Sequence, residues 1–210
     1  MLDCSLSKVE TIGNQLVVTW ALAPSDSFAG THNLYQLARD RSGAQTDLER
    51  MGSWTVLTRP SNNLAPGNVS VMPVNGSTQT GVTQFITSTY SDPNGVEDIA
   101  NVVLRVGDTN SNALYLQYSA LSRKFYLLND AGTAYQEGVS PGSSNITTNS
   151  SGALNAALSK VEVVGNQLVV TWAIAPSNSF AGAHNLYQLA RDRSGAQTGL
   201  ELMGSWTIVR

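Results

Sequence analysis

The densest acidic stretch in the sequence is Ser91-Asp92-Pro93-Asn94-Gly95-Val96-Glu97-Asp98. Calcium takes several carboxylate and carbonyl oxygens from a loop, and Asp92, Asn94 and Asp98 carry such atoms. The spacing departs from an EF-hand loop, which needs a glutamate at its twelfth position. A turn explains the same residues, because Asp and Asn side chains bond their own backbone ahead of a glycine such as Gly95. We expect a turn, with weak calcium binding as the alternative.

His32 and His184 are the two histidines. Each follows a Ser-Phe-Ala-Gly run and precedes Asn-Leu-Tyr, the opening of a strand. A triad or a metal site needs histidine beside a nucleophile or further ligands, and HExxH, HxH and cysteine clusters are all missing from the sequence. The expected place is a surface strand start. A catalytic pairing of His184 or His32 with Asp192 or Glu201 is the alternative. Gly138-Val139-Ser140-Pro141-Gly142 spells the G-x-S-x-G of a nucleophile elbow, which works only on a strand-turn-helix corner. The following SSNITTNSSG is no helix former, so a flexible loop is expected. Asn68, Asn75, Asn145 and Asn149 each begin an N-x-S/T sequon, which chance explains in a chain this rich in Asn, Ser and Thr. Trp20, Trp54, Trp172 and Trp206 could form a sugar platform. They lie in alternating apolar runs, which makes core packing the expectation.

These residues must be held by a scaffold of unusual composition. Of the 210 residues, 41% are hydrophobic and only 13% charged, against about 25% charged in ordinary soluble domains. Gly, Ser, Thr and Asn fill the difference and favour turns and strand faces over helices. A net charge of -3 argues against nucleic-acid binding, which calls for a basic patch. Apolar runs such as Leu16–Val18 are far too short to cross a membrane. The start, MLDCSLSKVE, lacks the basic and then apolar regions of a secretory signal. Cys4 is the only cysteine, so an internal disulfide is excluded.

An internal repeat organises the chain. Leu6–Leu57 aligns without gaps on Leu158–Val209, and 43 of 52 pairs are identical. Ile12/Val164, Leu22/Ile174, Val56/Ile208 and Leu57/Val209 exchange one apolar side chain for another, as core positions require. Asp26/Asn178 and Asp47/Gly199 look like surface or turn changes. A unit of about 150 residues is therefore expected once whole, at roughly 61–210. A preceding unit is expected only as its last third, at 1–57, so that Met1 would be a start placed inside a domain.

Alternation with period 2 is frequent, and no long segment has period 3.6. Strands are expected at Val69–Asn75 (an edge, given Pro73), Val82–Ser91, Ile99–Gly107, Ala113–Ser119, Arg123–Leu128, Ala157–Val164, Gln167–Ile174, His184–Ala190 and Ser205–Val209. Gly165-Asn166, like Gly13-Asn14, predicts a tight hairpin. Leu168, Val170, Trp172 and Ile174 share the expected core face. Such a pattern predicts an all-β fold, an antiparallel immunoglobulin-like β-sandwich at 69–210 with a jelly roll as the alternative, and TRPSNNLAPGN (58–68) as a linker.

The segments YSDPNGVEDIANVVLRV, LYLQYSALSRKFYLLNDAGTAY, SFAGAHNLYQLARDRSGAQ and LMGSWTIV together resemble an Ig-like repeat domain of large bacterial proteins of acidobacterial type. The resemblance covers 69–209, and 1–57 for the final third. It implies an Ig-like fold and an extracellular or cell-surface setting, and no particular activity. It also implies cysteines at the positions of Leu114 and Ala156. Cys4 matches Ala156, so it looks like half of a disulfide whose partner belongs to the first part of the upstream unit.

Residues 1–58 cannot bury their own apolar faces and would present unpaired edges. The head, 61–157, accepts one tail at a time, and the C-terminal tail follows it in native order. An eleven-residue linker spans at most about 36 Å, barely the length of a sandwich. Residues 1–58 must then stay poorly ordered, dimerise with their copy in another chain or swap, and a homodimer made through 1–58 is the favoured expectation. The leading functional expectation is a non-catalytic spacer or adhesion module, with a surface glycan or protein as ligand. The alternatives are a carbohydrate-binding module and a weak, promiscuous hydrolase formed by the half-domain assembly.

Overall fold

The computed structural model describes Cys4, residues 6–57 and residues 62–210, apart from the side chain of Asp26. Residues 58–61 of the expected linker and Met1 lie outside the described residues. The chain divides into two compact units, Met1–Ser61 and Asn62–Arg210.

The first unit holds two hairpins. Strands β1 (Lys8–Ile12) and β2 (Gln15–Thr19) pair antiparallel, as do β3 (Gly30–Gln36) and β4 (Glu49–Val56). The turn between β1 and β2 is the Gly13-Asn14 of the sequence. Gly13 has φ +61°, and its repeat equivalent Gly165 has φ +60°. Positive φ at the first turn position alone fits a type II′ hairpin, which glycine enters without strain.

The second unit is an all-β sandwich. Its strands are β5 (Gly67–Met72), β6 (Asn75–Gln79), β7 (Gln84–Ser91), β8 (Ile99–Val106), β9 (Leu114–Ser119), β10 (Lys124–Leu127), β11 (Ile146–Asn149), β12 (Gly152–Asn155), β13 (Lys160–Val164), β14 (Gln167–Pro176), β15 (Gly182–Asp192) and β16 (Glu201–Val209). One sheet runs β11-β12-β14-β7-β5, with β13 also on β14, and the other runs β10-β9-β8-β15-β16-β6. With β5, β7, β8, β9, β10, β12, β14, β15 and β16 lettered A, B, C, C′, C″, D, E, F and G, the sheets read D-E-B-A and C″-C′-C-F-G, an immunoglobulin-like order to which β11 and β6 add one edge strand each and β13 a further pairing on β14.

The unit begins at Asn62 and β5 opens at Gly67, inside the expected linker 58–68; three further points differ from the sequence expectation. The expected strand Val69–Asn75 is two strands, because the chain leaves one sheet after Met72 and joins the other at Asn75. Pro73, with no N–H to give to a ladder, sits in that crossing. β6 then pairs with β16 in parallel, the one exception to antiparallel pairing in the sandwich. Third, the expected loop at 138–152 carries the β11–β12 hairpin.

Alternation along β14 does place Leu168, Val170, Trp172 and Ile174 in the core, beside Ile86, Ser88 and Tyr90 of the neighbouring strand β7. Buried polar groups there find partners, as burial demands. The Trp172 indole N–H donates to Ser88 Oγ at 3.2 Å, and the Tyr90 hydroxyl donates to the Val103 carbonyl at 2.8 Å. Burial raises the Tyr90 hydroxyl far above its ordinary pKa. Phe125 packs on Trp172 with ring centroids 5.3 Å apart.

Candidate functional site

The acidic stretch leaves β7 through the expected turn. Asp92 Oδ1 accepts the Asn94 N–H at 2.7 Å, and the Asp92 carbonyl accepts the Gly95 N–H at 3.0 Å. Gly95 has φ +112°, a conformation that favours glycine, whereas a Cβ there would meet only the movable carboxylate end of Glu97. A single 3-10 turn, Val96–Asp98, closes the loop. Asn166 of the β13–β14 hairpin clamps it, donating to the Asp92 carbonyl and accepting the Val96 N–H, each at 3.0 Å.

Asp192 ends β15 and reaches this loop from a hundred residues away. Its Oδ1 accepts from Ser194 Oγ and from the Ala196 N–H, both at 2.9 Å, and its Oδ2 accepts from Asn63 Nδ2 at 2.8 Å. The Arg193 N–H donates to the Asp98 carbonyl at 2.9 Å, which ties the two loops together. A carboxylate oxygen from each of Asp92, Asp98 and Asp192 lies within 4.8 Å of the others, and all three side chains are buried. Asp92 Oδ2 is buried and has no hydrogen-bond partner.

Burial pushes the Asp92 carboxyl above its ordinary value; the Asn94 N–H offsets part of this, and the charges of Asp98, Asp192 and Glu97 add to it. Burial acts the same way on Asp192. There the donors on Asn63, Ser194, Gly195 and Ala196 together outweigh it and hold the carboxyl below its ordinary value. Asn94, expected beside the aspartates as a ligand, is spent elsewhere. Its Oδ1 accepts the Leu64 N–H at 2.8 Å and its Nδ2 donates to the Asn62 carbonyl at 3.2 Å. The site the structure builds is Asp92, Asp98 and Asp192, with Asn63 and Asn94 anchoring the segment that enters the sandwich.

The histidines do not join Asp192 or Glu201. His184 Nε2 bonds the Phe180 carbonyl at 2.9 Å, and its ring stacks on Phe180 at 3.9 Å. His32 repeats both contacts with Phe28, at 2.8 Å and 3.9 Å. His184 and Asp192 stand near opposite ends of β15, eight residues or roughly 25 Å apart along a strand. Glu201 accepts from Asn68 Nδ2 at 2.9 Å. The pairing of His184 with Asp192 is therefore corrected: the extended strand separates them. Ser140 is exposed on a turn whose carbonyl accepts the Ser143 hydroxyl, and the strand β11 follows where an elbow needs a helix. Of the sequon asparagines, Asn149 spends its amide on the Ala113 and Leu128 carbonyls.

Trp172 and Trp206 are core residues, whereas Trp20 is exposed. A different aromatic cluster lies on the outer face of the β9–β10 edge. Tyr135 meets Tyr115 with centroids 6.3 Å apart and Tyr126 at 6.0 Å. Tyr115 and Tyr135 line a groove of about 270 Å³ together with Asn101, Gln117, Arg191 and Gln197. Alternation in LYLQ and KFYL was the available signal, since it turns Tyr115 and Tyr126 away from the core. Tyr135 comes from the following loop and carries no such signal.

Cys4 is exposed and unpaired, while Leu114 and Ala156 are fully buried. Among the described residues, no helix is long and apolar enough to cross a membrane. Compared with known proteins, the sequence matches no family model and no curated protein.

Proposed function

We propose that the chain is a non-catalytic Ig-like repeat module of a bacterial surface or secreted protein, a spacer or adhesion unit that associates with a second copy through residues 6–57. One observation carries the association. Side chains that form the sandwich core in the C-terminal repeat are open in the N-terminal one. Leu16 is 69% exposed against 5% for Leu168, Trp20 64% against 0% for Trp172, and Leu34 45% against 1% for Leu186. Covering a large apolar side chain is worth about 1.5–3 kcal/mol, so these three favour association by at most about 4–9 kcal/mol per copy before ordering costs. The head strands of 62–157 are already packed with β14, β15 and β16. The complementary surface left on an identical chain is the same face, which gives an isologous contact. The bacterial and extracellular setting rests on the sequence resemblance.

Light scattering at micromolar concentration is expected to give twice the chain mass. Trp20→Asp combined with Leu16→Asp is expected to give the monomer mass. A wild-type monomer at that concentration would overturn the proposal.

The tyrosine groove favours a second reading, a carbohydrate-binding module. Stacked or edge-on tyrosines offer apolar faces, and Asn101, Gln117 and Arg191 offer polar groups for hydroxyls. Retardation on one member of a soluble polysaccharide panel, lost in Tyr115→Ala and Tyr135→Ala, is its expected signature. Uniform migration across the panel removes the reading.

A further inference from the structure

We propose that Asp92, Asp98 and Asp192 bind one calcium ion, and that the ion fastens the entry segment 62–64 to the sandwich. The three carboxylates come from two loops at the same end of the unit and meet in the interior, with oxygens within 4.8 Å of one another. Each local turn accounts for part of this arrangement. Asp92 Oδ1 is used by its own turn, and both oxygens of Asp192 have donors. Neither turn accounts for Asp92 Oδ2, an acceptor withdrawn from water and left without a donor. Such an atom costs free energy unless something positive or protic meets it. Asp98, Asp192 and Glu97 all add negative charge around it.

The donor set selects the ion. Carboxylate oxygens alone, with no nitrogen or sulfur, suit a hard cation. Opposite ligands across calcium stand about 4.6–5.2 Å apart, against about 4.0–4.2 Å across magnesium. Oxygens that all lie within 4.8 Å of one another can surround a calcium ion, and loops that belong to separate elements suit its tolerant geometry.

The repeat supplies an internal comparison. Asp40 is the equivalent of Asp192 and keeps the same turn, accepting from Ser42 Oγ at 2.7 Å and from the Ala44 N–H at 2.9 Å. Asp40 is exposed, and the tail 6–57 has no counterpart of Asp92 or Asp98. The turn thus forms without the site, and the site needs both head and tail. The ion would join the 92–98 loop to the end of β15. Asn63 on Asp192, and Asn94 on the backbone of 62 and 64, carry that constraint to the entry segment. This inference rests on the geometry of 62–210 and stands or falls apart from the dimer.

The test uses the full chain, stripped with chelator and dialysed. Equilibrium dialysis with radioactive calcium is expected to give one ion per chain with a Kd at or below the millimolar range. Calcium at a hundredfold excess over Kd is expected to raise the Tm of the sandwich by about 5–10 °C, with slower amide exchange at 62–66 and 92–98. Asp92→Asn and Asp192→Asn are expected to lose binding at least tenfold, and Asp40→Asn to leave it unchanged. No bound calcium at about 5 mM, above the roughly 1 mM weak end of extracellular sites, overturns the proposal. Binding that survives both Asp92→Asn and Asp192→Asn also overturns it. If those variants fail to fold, stoichiometry and the Tm shift of the wild-type chain decide.

Discussion

Trp172→Ala is expected to destabilise the sandwich by about 3–5 kcal/mol, lowering its Tm by about 10 °C. The identical change at the repeat position, Trp20→Ala, is expected to stay within about 0.5 kcal/mol. Both tryptophans occupy the same GNQLVVTW sequence, and the local bend after them is the same. The Ala173 N–H bonds Ser159 Oγ at 3.0 Å, and the Ala21 N–H bonds Ser7 Oγ at 3.0 Å. What differs is the environment. Trp172 is fully buried, touches Phe125 and donates to the buried Ser88. Its removal leaves a cavity and a hydroxyl without its donor, two costs that add. Trp20 has no such surroundings within its unit, so its loss should appear in the dimer mass instead. Urea unfolding of each variant, followed by light scattering, measures both. A Trp172→Ala chain whose Tm falls by less than about 2 °C would remove Trp172 from the core.

That contrast marks what the sequence could show. Local features were legible: the Gly-Asn hairpins, the core face of β14, and the turn at Asp92–Gly95. Each depends on neighbours in the chain or on strict alternation. The missed strands β6, β11 and β12 read NGSTQ, ITTN and GALN. They are short, mostly polar, and held by partners elsewhere in the sandwich. The parallel pairing of β6 with β16 joins residues about 130 apart, and no local pattern records it.

The candidate site divides the same way. Asp92 and Asp98 were visible as neighbours in a loop, and Asp192 was flagged only as a partner for histidine. Its true neighbours are set by the strand order that brings the end of β15 beside the loop after β7. Asn94 had the right chemistry and the right spacing for a ligand, and the backbone of 62 and 64 captured it.

Gly204→Ala is the second change with a large expected effect, a loss of about 3 kcal/mol. A Cβ at Gly204 would lie 2.1 Å from the Val74 carbonyl oxygen. Val74 lies where the chain crosses from β5 to β6, and its carbonyl accepts the Ser205 N–H at 2.8 Å. The backbone cannot retreat without losing that bond and the β6–β16 ladder. Gly52 is the repeat equivalent and lies in the same bulged hairpin, opposite Leu34 as Gly204 lies opposite Leu186. Nothing stands within 4 Å of a Cβ there, and an alanine in a strand gains about 0.5–1 kcal/mol over glycine. The two substitutions are therefore expected to have opposite signs in thermal unfolding. Equal losses would mean that the bulge itself demands glycine and that the head has no part in it. The dimer adds a second reading to the same variant. A tail-to-tail contact leaves Gly52→Ala free to associate. A Gly52→Ala chain that folds but stays monomeric would mean that its partner approaches as Val74 does, with a head strand in place of a second tail.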